Sequence, residues 1–336
     1  MSEIIFPQKI AVLGAGSWGT ALAIHLAKYQ QPVCLWEYDL QQVALMQKTH
    51  CNERYLPGIQ FPSYIQVEGD LSKAVTNVQD ILLAIPSHAF RQTLMAIKPY
   101  VTDQTRLISA TKGIDPKTNQ LFHETIQEIL GDRCVAVLSG PSFAKEVAQG
   151  LPTVVTMATH DDGFARELVA RFNHGHFRVY LSHDLMGVQL GGAVKNVIAI
   201  AAGASDGLGF GANAKSALIT RGLAEIIRLG LAMGAEQATF MGLSGVGDLV
   251  LTCTDDQSRN RRLGLALARG KTAAEAEKDL GQVAEGTHTA RQVIALAKQY
   301  HVEMPICEQV YRILQNELSP QQAVAELLAR KPKAEF

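Results

Sequence analysis

The chain has almost no net charge: 31 Lys and Arg stand against 32 Asp and Glu, a formal charge of −1. Without a basic field, neither nucleic acid nor an anionic membrane is expected as the main partner. Long hydrophobic runs are also missing. The longest, Val197 to Ala204, falls well short of the roughly 20 residues that span a bilayer. The five cysteines (Cys34, Cys51, Cys134, Cys253 and Cys307) are odd in number, scattered, and form no CxxC pair. They suit reduced thiols in a cytosol and provide neither a disulfide framework nor a zinc knuckle. No HExxH occurs, and His174 and His176 lack a third ligand, so no metal is expected. The opening MSEIIFPQKIAVLGAG has no basic n-region and reads directly into structured sequence, unlike a signal peptide. Fixed-period repeats and low-complexity linkers are absent as well.

What remains is a soluble, globular composition, 47% hydrophobic and 19% charged over 336 residues. That length exceeds what one core usually covers, so two domains are expected. A cytoplasmic, two-domain enzyme is the starting expectation. In the first half, β-rich runs (Lys9 to Leu13, Pro32 to Glu37, Asp80 to Ile85, Thr105 to Ala110, Cys134 to Ser139) alternate with helical stretches such as Thr20 to Tyr29. That rhythm predicts βαβ units and a parallel, doubly wound Rossmann-type sheet, extended by Thr153 to Ala158 and His176 to Tyr180. From Leu185 the texture becomes Ala-, Leu- and Gly-rich with helical spacing. Arg221 to Ala232, Thr272 to Leu280, Thr289 to Gln299, Glu308 to Glu317 and Pro320 to Arg330 read as amphipathic helices, followed by a frayed KPKAEF tail. The expected division is an α/β domain over 1–184 and an all-α domain over 185–336.

The strongest motif is Gly14-Ala15-Gly16-Ser17-Trp18-Gly19, a GxGxxG placed after an apolar strand and opening a helix. Gly14 permits the tight turn, Gly16 lets the backbone approach a pyrophosphate, and Gly19 allows close helix–strand packing. The next strand ends at Glu37-Tyr38-Asp39, where an acidic group meets the adenosine ribose. Glu37 would repel a 2′-phosphate, and no Arg stands nearby to bind one, so this position favours NAD. The alternative is that Glu37 faces solvent.

Hydride transfer to a ketone needs a proton donor and groups that hold the substrate. Lys112, in Ser109-Ala110-Thr111-Lys112-Gly113, would project at a strand's carboxyl end. Ser139-Gly140-Pro141-Ser142-Phe143-Ala144 is a second strand-to-helix turn able to bind an anion. Lys195 is alone in an apolar helix, where burying an unpaired ammonium is costly; acid–base work or snorkelling to the surface would each explain it. Asp248, among small and apolar residues, is a fitting partner for a catalytic lysine, or else a helix cap. Ser258-Arg259-Asn260-Arg261-Arg262 concentrates donors of the kind that clamp a phosphate, or forms a solvated basic turn. The glycine-rich stretch Gly203 to Asn213 follows no strand and is expected to be a bend between helices.

Together these segments closely resemble the bacterial NAD(P)-dependent glycerol-3-phosphate dehydrogenases. The resemblance rests on GAGSWGTALA, CNERYLPG, IPSHAFR, ATKGI, SGPSFAKEV, GVQLGGAVKNVIAIAAG, SDGLGFGANAKSALITRGLAE, GVGDLVLTCTDDQSRNRRLG, GQVAEG and EMPICEQVY, almost end to end. It implies reduction of dihydroxyacetone phosphate to sn-glycerol 3-phosphate by NAD(P)H for phospholipid synthesis, in a cleft between the two domains of a homodimeric enzyme. Lys195 is then the proton donor and acceptor. Lys112, Gly140, Ser142, Asp248, Ser258, Arg259 and Asn260 contact substrate. Ser17, Trp18, Tyr38, Lys112, Ala144, Arg259, Val283 and Glu285 contact the cofactor, beside Gly14, Gly16 and Gly19. In this picture Arg259 and Asn260 orient the substrate phosphate. Glu37-Tyr38 stands where many relatives carry a basic or small residue, which again favours NAD. Two alternatives remain. A β-hydroxyacid dehydrogenase would have Lys and Asn four apart, whereas Asn196 directly follows Lys195 and Ala199 holds the +4 position. A non-catalytic dinucleotide sensor would have degraded site chemistry.

Overall fold

The computed structural model describes residues 8–281, 283–331 and 334. Residues 1–7, the start of the MSEIIFPQKIAVLGAG run read as unlike a signal peptide, and most of the KPKAEF tail lie outside the described residues. The chain divides into two compact units, Met1–Gln189 and Leu190–Phe336.

The first unit is built on one eight-stranded sheet. Its strands are β1 (Ile10–Leu13), β2 (Val33–Trp36), β3 (Ile65–Glu68), β4 (Asp80–Leu83), β5 (Arg106–Ser109), β6 (Val135–Ser139), β7 (Thr153–Ala158) and β8 (Phe177–Ser182). The spatial order is β3-β2-β1-β4-β5-β6-β7-β8. Strands β1 to β6 are mutually parallel, whereas β7 runs antiparallel to β6 and β8 parallel to β7. The order reverses at β1, the switch point where doubly wound sheets bind ligands.

Alternate side chains of each strand leave on opposite faces. Ile10 and Val12 enter one core with Leu22, Ile24, Leu35, Phe164 and Phe172. Ala11 and Leu13 enter the other with Phe90, Leu94, Phe122 and Ile126. The first core is covered by α1 (Ser17–Lys28), α2 (Leu40–Thr49), α6 (Ala144–Gln149) and α7 (Asp162–Phe172). The second is covered by α3 (Leu71–Val75), α4 (Ser87–Ile97) and α5 (Phe122–Leu130). Strand β3 was not expected from the sequence. It is a four-residue edge strand in which only Val67 is buried, too short to display an alternation.

Beyond the sheet the chain is helical. Helix α8 (Leu185–Gly207) crosses the boundary between the units. It is followed by α9 (Gly211–Met233), α10 (Gln237–Phe240), a π-turn (Leu243–Gly247), α11 (Asp248–Thr254), α12 (Arg259–Ala268), α13 (Ala273–Leu280), α14 (Glu285–Gln299), α15 (Pro305–Leu314) and α16 (Pro320–Leu328). The described residues of the second unit contain no strand.

The longest uninterrupted apolar run, Val197 to Ala204, lies within a longer apolar helix, α8. Although Lys195 and Asn196 interrupt its apolar run, the most apolar 18-residue window of this 23-residue helix has a mean hydropathy of 1.5, enough by length and composition to span a membrane. Its most apolar window is 94% buried, as in the core helix of a soluble fold. The expected glycine bend is also shorter than predicted. Gly203 and Gly207 stay helical, and the chain turns only over Leu208 to Phe210. Helix α9 consequently starts ten residues before the predicted Arg221.

Candidate active site

The dinucleotide loop leaves β1 at Gly14, whose φ of +106° and close approach to the Ala84 carbonyl leave no room for a side chain. Gly16 opens onto space with nothing within 4 Å of where a Cβ would sit. Helix α1 follows without a side-chain cap, so its N-terminal amides and dipole face that space. The Trp18 indole N–H is buried without a hydrogen-bond partner among the described residues. This cradle fits a pyrophosphate. Asn52, in the CNERYLPG run, locks its shape by donating to the Ala15 carbonyl at 2.7 Å and to Thr20 Oγ1 at 2.8 Å. Sequence reasoning did not find Asn52, since a loop asparagine has no periodicity to mark it.

Glu37 sits at the tip of β2, as expected for a ribose-facing acid, but it neither points outward nor faces solvent. It is buried, and its Oε1 accepts the Asp39 N–H at 3.1 Å. Burial raises its pKa from the ordinary carboxylate value. Tyr38 beside it is strongly exposed. The expectation that no arginine stands nearby is overturned: Arg54 Nη1 lies 3.3 Å from Asp39 Oδ2.

At the carboxyl ends of the adjacent strands β5 and β6, three predicted residues meet. Lys112 Nζ donates to the Gly140 carbonyl at 3.1 Å, and Ser142 Oγ donates to the same oxygen at 2.9 Å. Ala144 begins α6 just beyond.

The second unit holds the lysine. Helix α8 approaches the π-turn so closely that a Cβ on Gly191 would stand 2.4 Å from the Ser244 carbonyl. One helical turn on from each contact residue, Lys195 faces Asp248. Its ammonium donates to the Asp248 carboxylate and, at 2.7 Å, to Thr252 Oγ1. Thr252 in turn donates to the Asp248 carbonyl at 2.6 Å. Lys195 and Asp248 are 6% and 1% exposed. Lys195 therefore neither snorkels nor lies unpaired. Thr252 was missed, as one of two threonines in an otherwise ordinary helix. Cys253 next to it is held as a thiol, because burial pushes its pKa up to about 12.

The basic run is not a solvated turn. Ser258 is buried and caps α12 by accepting the Arg261 N–H at 3.2 Å. Arg259 Nη1 donates to the Val283 carbonyl at 3.2 Å, next to Glu285 in the first turn of α14. Asn260 bridges two segments: its Nδ2 donates to Asn196 Oδ1 and its Oδ1 accepts the Gly286 N–H, both at 2.9 Å. Arg261 is committed to Asp206 and Asp256. The histidines considered as metal ligands have other roles. His174 stacks on Tyr29, and His176 Nδ1 hydrogen-bonds the Gly150 carbonyl.

A doubly wound sheet with a glycine cradle at its switch point, and a separate helical unit with a buried, carboxylate-paired lysine, define a two-domain nicotinamide-dependent dehydrogenase. The comparisons narrow this. Residues 9–165 match the NAD-dependent glycerol-3-phosphate dehydrogenase N-terminus and residues 184–325 its C-terminus. The chain is 53% identical to glycerol-3-phosphate dehydrogenase [NAD(P)+] of Tolumonas auensis over 97% of its length and 98% of the relative. It is 52% identical to that of Idiomarina loihiensis, over 98% and 99%. The crystal structure of glycerol-3-phosphate dehydrogenase from Coxiella burnetii superposes with a TM-score of 0.94 at 49% identity, covering 96% of this chain and 99% of that one. The chain belongs to the NAD-dependent glycerol-3-phosphate dehydrogenase family. It interconverts dihydroxyacetone phosphate and glycerol 3-phosphate with NAD(P)H, and the hydroxyacid and sensor alternatives give way.

Proposed function

We propose that Lys195 is the proton donor to the substrate oxygen, with Asp248 and Thr252 as the groups that position it. The observation that carries this reading is the buried ammonium shared between the Asp248 carboxylate and Thr252 Oγ1. The nicotinamide cofactor supplies the hydride that adds to C2 of dihydroxyacetone phosphate. Lys195 Nζ delivers a proton to the oxygen on that carbon as negative charge develops there, and in the reverse direction takes it back. Asp248 compensates the ammonium charge inside the protein and holds its direction; Thr252 fixes the same nitrogen from a second side. A preset dipole of this kind lowers the barrier without reorganising during the reaction.

Arg259 neutralises the substrate phosphate at the start of α12, where Ser258 closes the first turn. Asn260 orients the phosphate while its amide ties Asn196 to Gly286. In the first unit, Lys112 offers N–H donors beyond its bond to the Gly140 carbonyl for anionic ligand groups, and Ser142 offers its hydroxyl when that turns from the same carbonyl. Ser17, Trp18, Tyr38, Ala144, Val283 and Glu285 are cofactor contacts beside Gly14, Gly16 and Gly19. The enzyme acts in the cytoplasm as a homodimer and supplies glycerol 3-phosphate for phospholipid synthesis; the resemblance of the whole chain to its relatives supports this.

Lys195→Met tests the central role, with cofactor affinity followed separately by fluorescence titration. Loss of a general acid lowers kcat by about 10²- to 10⁴-fold, with NADH binding retained. A kcat near wild type would refute the assignment.

A further inference from the structure

The strip beside the β2 tip carries a residue of the CNERYLPG run to which the resemblance assigned no role. Arg54 lies on the segment between α2 and β3. Its side chain is 48% exposed and pairs with Asp39 Oδ2 at 3.3 Å. Its guanidinium sits over the Tyr55 ring at 5.1 Å from the centroid, which restrains the plane of the fork. The segment beneath it is anchored. Buried Asn52 donates to the Ala15 carbonyl and Thr20 Oγ1, and its own carbonyl accepts the Tyr55 and Leu56 N–H groups. Arg54 is thus held in fixed register with the phosphate cradle, although it is distant from it in sequence.

The β2 tip is where a Rossmann fold meets the adenosine ribose; an outward carboxylate there selects NAD, and an arginine admits the 2′-phosphate of NADP. Here the carboxylate of Glu37 is withdrawn onto the Asp39 N–H. The remaining acid, Asp39, is engaged by Arg54 and caps α2 through the Gln41 and Gln42 N–H groups. A part-exposed guanidinium–carboxylate pair of this kind is weak, and the guanidinium can exchange its carboxylate for a phosphate that offers two parallel hydrogen bonds.

We propose that Arg54 is the 2′-phosphate-binding residue of this enzyme, held ready by Asp39 and released from it when NADPH binds. The proposal rests on the family's use of NAD(P)H and assigns the part of the cofactor that separates the two forms to one side chain. It also accounts for dual cofactor use by a chain with an acid at position 37, since that acid does not face the ligand.

The test uses two adenosine fragments, 2′,5′-ADP and 5′-ADP, titrated calorimetrically into wild type, Arg54→Gln and Asp39→Asn, alongside steady-state KM values for NADPH and NADH. A charge-assisted bidentate contact predicts that Arg54→Gln weakens 2′,5′-ADP by about 10- to 100-fold. The same variant shifts 5′-ADP by about twofold or less, a range appropriate for exposed polar contacts. The NADPH-to-NADH ratio of KM rises in parallel. Asp39→Asn keeps the helix cap, frees Arg54, and tightens 2′,5′-ADP. Equal weakening of both fragments by Arg54→Gln would overturn the proposal and place Arg54 against the adenine or the fold. No change in either would also overturn it. Wild-type protein that bound 5′-ADP but not 2′,5′-ADP would refute the Arg54 role alone, whereas binding of neither would remove the cofactor reading along with it.

Discussion

Glu225 provides a prediction whose magnitude follows from its surroundings. It lies on α9, is 1% exposed, and receives the N-terminus of α15. Pro305 opens that helix without an N–H to satisfy. The next two amides, of Ile306 and Cys307, donate to Glu225 Oε1 at 2.7 Å and Oε2 at 3.1 Å. The Glu308 N–H then begins the helical ladder on the Met304 carbonyl. Glu225→Ala leaves two buried amides without acceptors, at about 1–3 kcal/mol each, and removes a charge from the helix N-terminus. Relief of the buried carboxylate's desolvation offsets part of this, leaving a net loss of about 3 kcal/mol. In a unit of this size that lowers Tm by roughly 10 °C. Glu225→Gln keeps one acceptor and should lose about half as much. Burial raises the Glu225 pKa above its ordinary value. The native state therefore holds the proton more tightly than the unfolded chain does, and this contribution is complete below the unfolded pKa and declines as pH rises through the folded one. The stability gap between wild type and Glu225→Gln should narrow with rising pH, by no more than about 1.4 kcal/mol per unit. Urea unfolding followed by far-ultraviolet circular dichroism measures both effects. An Ala variant within about 0.5 kcal/mol of wild type, the scatter of ordinary surface changes, would refute the reasoning, as would a gap that widens with pH.

Two further outcomes are expected. A Cβ on Gly286 would stand 2.7 Å from the Asn196 carbonyl and 2.9 Å from Asn260 Oδ1. Gly286→Ala should cost about 1–3 kcal/mol through overpacking and lower kcat/KM by displacing the Asn196–Asn260 pair, as steady-state kinetics would record. His25 is buried, with Nε2 hydrogen-bonded to the Phe172 carbonyl at 2.7 Å, and burial lowers its pKa to about 4. Its contribution is complete above the unfolded pKa of 6.5 and is lost as pH falls toward 4. That amounts to about 3 kcal/mol, so His25→Gln should flatten the acid limb of a stability–pH profile; an unchanged limb would count against the assignment.

The dinucleotide end was legible because its evidence is local: a four-residue apolar strand, glycines at fixed offsets and a helix start are contiguous in sequence. The reversal of β7 against β6 was not, since an apolar run has the same alternation in either direction. At the lysine end, Lys195 and Asp248 could be picked out as charges within apolar or small-residue surroundings, and the structure brings them together. Thr252, Asn52 and Arg54 could not. Their significance comes from partners 57, 37 and 15 residues away, reached only once the chain is folded. Glu37 illustrates the opposite hazard: the position was read correctly, but a main-chain N–H two residues on captured its carboxylate.

The central claim is that the Lys195 ammonium provides the proton. The most direct measurement is chemical rescue of Lys195→Ala during reduction of dihydroxyacetone phosphate, using small alkylammonium ions of graded pKa. The account predicts a kcat that rises with added ammonium and varies systematically with its pKa, while cofactor affinity stays constant. Full activity without any amine would contradict it.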